Sequence, residues 1–259
     1  MISKIYKDSV YTLTEGVTVN ELSYLSNQDK AMKVFIYKVD LSNPKISIAT
    51  TLPNNELKFA MQPMTEQAKA AQNPFFNILG GVNGDFYNMT TGVPQGIYVT
   101  YGAKLKSTYN DKIKGFLSVD KHNKVNLFDI EQFNIQSTTI QHAISGGDWL
   151  VKDSQIIPQN NTDIHPRTAV GLTTSNQLIL LVVDGRNPQW SNGMNLEELA
   201  TMMLALGADR ALNLDGGGSS TFFTNPNLTE NKYTIRNLPS DKNAKERAVS
   251  NGVIITEVK

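Results

Sequence analysis

Apolar and polar residues alternate through Val34–Val39 and again through Lys45–Ala49, with Ser42, Asn43 and Pro44 between them. A period of two interrupted by turn-forming residues predicts two strands joined as a hairpin. Short strand-like runs recur at 76–82, 97–100, 115–119, 125–128, 168–172, 178–183, 211–214, 221–224 and 248–256. Helical periodicity is rarer. Leu196, Leu199, Ala200, Met203 and Leu204 form one apolar stripe, Asn195 and Glu198 stand at capping-box positions, and Gly207 sits where a left-handed terminator is wanted. A second, shorter helix is predicted over Thr65–Gln72, stopped by Asn73 and Pro74.

Strands outnumber helices and do not alternate with them, which predicts an α+β fold with a mixed, mostly antiparallel β-sheet and few helices. Residues 1–75 read as an N-terminal strand and hairpin region packed on a main domain of residues 76–259. The polar stretches Gln159–Asp163 and Asn225–Lys245 read as long surface loops, the kind that serve as lids.

Composition narrows the functional classes. The 259 residues carry 24 Lys and Arg against 24 Asp and Glu, so no basic surplus exists for nucleic-acid backbone binding. Cysteine is absent, which removes disulfides, thiolate metal sites and thiol nucleophiles. The longest apolar run, Leu178–Val183, is far short of the roughly 20 residues of a membrane span. The opening segment has Lys4, Lys7 and Asp8 and no apolar stretch typical of a signal peptide. These features predict a cytoplasmic protein, or an extracellular one of phage or processed origin, and leave its oligomeric state open.

Chemistry concentrates where strand-like runs end. Ala211–Leu214 delivers Asp215, then Gly216, Gly217 and Gly218, then Ser219 and Ser220. Glycines expose successive amides, so this segment predicts an anion cradle completed by two hydroxyls. Val182 and Val183 release Asp184 and, two residues on, Arg186. His165 precedes Pro166, and Arg167 leads into a strand. Asn83 and Asp85 close the run that begins at Phe76. Three aspartates thus follow three apolar runs, an arrangement that can assemble an active site at one sheet edge. Three acids also fit a divalent Mg²⁺ or Ca²⁺ site, so a metal-dependent phosphodiesterase is an alternative. A glycan-binding module of a phage or surface protein, with no catalysis, is another.

Taken together, NGDFYN, HPRTAVG, VVDGR, LGADRALNLDGGGSST and ERAVSN, in that order over residues 80–255, resemble the phosphodiester glycosidase family. The resemblance implies a hydrolase that cleaves the C1–O bond of a sugar-1-phosphodiester, releasing a GlcNAc-like free sugar and a phosphomonoester, with no required cofactor. Under that reading Asp215, Asp184, Asp85 and His165 are the catalytic candidates. Asn83, Arg167, Arg186, Gly216, Gly217, Gly218, Ser219, Ser220 and Arg247 are the candidates for binding the substrate.

Overall fold

A computed structural model describes residues 2–228 and 230–259. Among these residues the chain forms three sheets of eight, five and five strands, and every strand pair is antiparallel. The α+β expectation holds, with sheet dominant.

The eight-stranded sheet runs from an exposed edge at Ile2–Thr14 through Val17–Ser26, Ala31–Asp40, Gln177–Val183, Arg167–Leu172 and Arg210–Asn213 to Trp149–Lys152 and Gln155–Ile156. Its centre explains the six-residue apolar run. Leu178, Leu180 and Val182 enter one core, facing Leu79, Val82, Phe222 and Val253 of a five-stranded sheet. Ile179, Leu181 and Val183 enter the other, under the helix Leu196–Ala205 with its Leu199 and Met203. A strand covered on both faces has no polar side to alternate. The helix begins as expected: Asn195 Oδ1 accepts from the Glu198 amide at 2.8 Å, and the Glu198 carboxylate accepts from the Asn195 amide at 3.0 Å.

The predicted hairpin between Val34–Val39 and Lys45–Ala49 does not form. Ala31–Asp40 lies between Val17–Ser26 and Gln177–Val183, whereas Ile46–Thr51 crosses to another sheet and pairs with Gly252–Val258. The turn residues reverse the chain between layers instead of between neighbours. Residues 1–75 therefore share their sheets with the second half of the chain. The edge strand Ile2–Thr14 exposes Ile2, Ile5, Tyr6 and Val10, and its register on Val17–Ser26 shifts at three places.

This topology gathers the motif ends at one place. Arg167 pairs with Val183, and Ala169 pairs with Asn213. Asn83 pairs with Gly252 in the neighbouring sheet, and the Asp215 amide donates to the Gly84 carbonyl at 3.0 Å, joining the two sheets where both carboxyls emerge.

Candidate active site

Two carboxyl groups occupy the junction. Asp85 is buried; its Oδ2 accepts from the Gly96 amide at 3.0 Å, and its Oδ1 has no partner. Burial raises its pKa well above the ordinary carboxyl range, and the nearby Asp215 charge adds to the rise. Burial also raises Asp215, to about 6, against the opposing pull of the Ser219 hydroxyl, the Gly216 amide and Arg247. Burial thus raises the proton affinity of both neighbouring carboxyls, the environment in which acid and base roles are tuned.

The glycine turn has a different purpose from the expected amide cradle. Gly217 donates to the Pro166 carbonyl at 2.9 Å, and the Gly216 amide is held by the Asp215 carboxylate. Only Gly218 keeps an amide with no acceptor among the described residues. What the glycines provide is room. A Cβ on Gly217 would stand 2.9 Å from Nη2 of Arg186, at a φ of 63° that side chains rarely adopt. A Cβ on Gly218 would enter the ion pair of Arg247 with Asp241. The missing side chains let two guanidinium groups lie against one turn.

Those cations differ. Arg247 donates to both oxygens of Asp241 at 2.7 and 2.6 Å, and its Nη1 reaches the Ser219 hydroxyl at 3.5 Å. Arg186 is exposed and forms no ion pair among the described residues; its guanidinium lies 3.4 Å from Nδ1 of His165. Partial burial and the charges of Arg167 and Arg186 lower the His165 pKa, so its ring is neutral at pH 7. Together Arg186, Arg247, His165 and Ser219 present positive charge and hydrogen-bonding groups beside Asp215.

Three expected site residues turn inward. The Asn83 amide donates to the Asp215 carbonyl at 2.6 Å, while its Oδ1 accepts from Thr168 and from the Thr221 amide. The Ser220 hydroxyl faces Thr168 at 3.4 Å. Asp184 accepts from Trp190 at 2.8 Å, Asn237 at 3.1 Å and the Leu238 amide at 2.9 Å. Its carboxylate ties down the segment that follows Tyr233, and Asn237 passes the link to the Ser220 carbonyl at 3.0 Å. Asn83, Ser220 and Asp184 thus fix the positions of reactive neighbours and offer no free group to a ligand. Arg167 is also buried, with Nε on the Met194 carbonyl at 2.9 Å and Nη2 on the Asp163 carbonyl at 2.5 Å.

Four further residues take part in the site. Tyr87 donates to the Ala248 carbonyl at 2.9 Å, and its hydroxyl meets Ser219. Gly96 holds Asp85, and a Cβ there would strike Ser145. Asn251 accepts from the Asp85 amide at 2.9 Å. Asp241 lies in the loop read only as a surface segment. Tyr87 lies in NGDFYN and Asn251 in ERAVSN, whereas Gly96 and Asp241 carry no local signal. Among the described residues, no three His, Asp or Glu side chains form a group able to hold a metal ion. Among the described residues, no helix is long and apolar enough to cross a membrane.

Residues 76–256 match the family model described as phosphodiester glycosidase. The N-acetylglucosamine-1-phosphodiester alpha-N-acetylglucosaminidase of Bos taurus is 31% identical over 178 residues, covering 61% of this chain and 32% of that protein. The Homo sapiens protein of the same name is 28% identical over 178 residues, 61% of this chain and 33% of its own length. This chain spans about a third of the length of these curated relatives. The SPbeta prophage-derived uncharacterized protein YomE of Bacillus subtilis is 35% identical over 86 residues, 31% of this chain and 13% of that protein. Among solved structures, the zebrafish catalytic domain of the same enzyme name, auto-inhibited by its pro-peptide, superposes with a TM-score of 0.68 at 20% identity. That match covers 98% of this chain and 88% of the zebrafish one. A hypothetical protein from Synechocystis reaches 0.76 at 13% identity, over 97% of this chain and 64% of that one. These superpositions show a shared fold.

Proposed function

From the premise that the chain belongs to the phosphodiester glycosidase family, we propose that it hydrolyses the C1–O bond of a sugar-1-phosphodiester, releasing free sugar and a phosphomonoester. The observation that carries this reading is the pair of buried carboxyls at the sheet junction, both with raised proton affinity, set beside two guanidinium groups on one glycine turn. Breaking a glycosidic bond builds positive charge at the anomeric carbon and negative charge on the departing oxygen. A phosphate leaving group is already a weak base and needs cations more than a proton. Arg186 and Arg247, with Ser219 and neutral His165 beside them, supply that side of the reaction.

Asp215, ionised at neutral pH, faces the anomeric carbon as nucleophile or as the base that activates water. Asp85, whose proton affinity burial raises, serves as the acid of the pair. The reading we favour uses no divalent cation. Activity that survives a chelator is the expected result, and activity lost to chelator and restored by Mg²⁺ or Ca²⁺ would replace this mechanism with the metal-dependent one. The relative from a prophage supports a bacterial or phage setting, where sugar-phosphate polymers of the cell envelope carry such bonds.

The deciding experiment is hydrolysis of a panel of sugar-1-phosphodiesters, UDP-GlcNAc included, in ¹⁸O-labelled water. Label in the released sugar, with phosphate left on the aglycone, is expected. Label in the phosphate means P–O cleavage and rejects the glycosidase mechanism.

A further inference from the structure

A cleft of about 500 Å³ is lined by Phe86, Gln95, Asn161, Arg167 and Asn213 and by neither Arg186, Arg247 nor His165. Its size lies within the roughly 300–1,000 Å³ of small-molecule sites. Four chain segments contribute to both this cleft and the reactive centre. Phe86 follows Asp85, Gln95 precedes the Gly96 that holds Asp85, Arg167 comes two residues after His165, and Asn213 two before Asp215. Neither aspartate lines the cleft, but the segments that form its wall run directly on to the reactive residues.

Asn213 sets its character. The backbone is fixed, with the amide donating to the Asp148 carbonyl at 3.0 Å and the carbonyl accepting from Gly147 at 2.8 Å. The residue is 4% exposed, yet its Oδ1 has no hydrogen-bond partner and its Nδ2 none among the described residues. A buried polar group left unpaired is destabilising, and cores normally avoid it. Here the carboxamide lies in the wall of an open cleft. Arg167, its neighbour in that wall, has engaged Nε and Nη2 and keeps Nη1 without an acceptor among the described residues. Phe86 adds an aromatic surface, and the lining acids Asp111 and Asp148 offset Lys112 and Lys114.

We propose that this cleft seats the sugar of the substrate, with Asn213 as a specificity-determining residue whose Nδ2 donates to a ring hydroxyl. Arg167 donates to a second ring oxygen. The proposal rests on the phosphodiester-glycosidase reading: with phosphate on Arg186 and Arg247 and the ring in the cleft, the anomeric carbon comes to the two aspartates between them.

Free sugars test it without turnover. Neutral hexoses, 2-acetamidohexoses and hexuronic acids are titrated against the whole chain by saturation-transfer NMR, with inorganic phosphate as a separate probe. At least one sugar class should bind. Its affinity should fall tenfold or more in Asn213→Ala and remain unchanged in Arg186→Ala, with phosphate binding showing the reverse. Asn161→Trp, which plugs the mouth from an exposed position, should weaken sugar binding without lowering the melting temperature, so a folding defect in Asn213→Ala does not leave the question open. No binding of any sugar class, sugar affinity untouched in both variants, or phosphate binding lost in Asn213→Ala would each overturn the proposal. An inactive protein that still binds sugar through Asn213 would reject the hydrolase and keep the subsite.

Discussion

Asp215 couples function to stability with opposite signs. Its pKa is about 6 in the folded chain and 3.8 in the ordinary state. The native protein thus binds the proton more tightly, and the stability this contributes is complete below pH 3.8 and lost as pH rises to 6. At pH 7 the ionised carboxylate costs the fold up to about 3 kcal/mol. Asp215→Asn should therefore raise the melting temperature at pH 7, by less and less as the buffer approaches pH 4, while lowering kcat at least a thousandfold. A variant that melts lower at pH 7 would show that the charge is compensated. The same titration gives kcat/KM an acid limb centred near pH 6, absent from the residual activity of Asp215→Asn. Asp85→Asn keeps the shape of the neutral acid without its proton, and a loss of about 10² to 10⁴ in kcat is expected with the fold intact. Single-turnover rates and thermal melts on the same samples separate the two effects.

The glycine turn and the Asp184 anchor act at the level of elements. Gly218→Ala should break the Arg247 and Asp241 ion pair and reduce turnover on phosphodiesters more than it reduces binding of the sugar alone. Asn237→Ala should loosen the segment around Leu238, exposing it to proteolysis, and lower kcat/KM without moving the acid limb, since it touches neither Asp85 nor Asp215. A shifted limb would make Asn237 part of the proton inventory. At this scale the sequence was legible in some places and opaque in others. Asn195 and Glu198 announce their helix because a cap is local chemistry, and LNLDGGGSST marks the turn. Asp184 and Asp215 look alike in sequence, each an acid after a buried strand. What separates them is a partner more than 50 residues away, Leu238 for Asp184, which no local pattern contains. The hairpin expected at Ser42–Pro44 failed for a similar reason: period two reports alternation and not which strand lies alongside.

For the whole molecule, the division at residue 75 has a measurable meaning. Ala31–Asp40 is an interior strand beside Gln177–Val183, with Val34, Tyr37 and Val39 fully buried. Ile46–Thr51 pairs with Gly252–Val258. A fragment of residues 76–259 would expose both faces of those junctions. It should lack near-ultraviolet circular dichroism and dispersed amide resonances, and a fragment with native dispersion would show that residues 76–259 fold as a unit of their own. The strand Ile2–Thr14 raises a separate matter of colloidal behaviour. Thirteen residues of open edge bearing Ile2, Ile5, Tyr6 and Val10 would ordinarily template the addition of foreign strands. The three register shifts interrupt the straight row of donors and acceptors that such growth requires. With the charges of Lys4, Lys7 and Asp8, this backbone irregularity disfavours strand addition, and a deletion that removed those extra residues should make the protein more prone to polymerise.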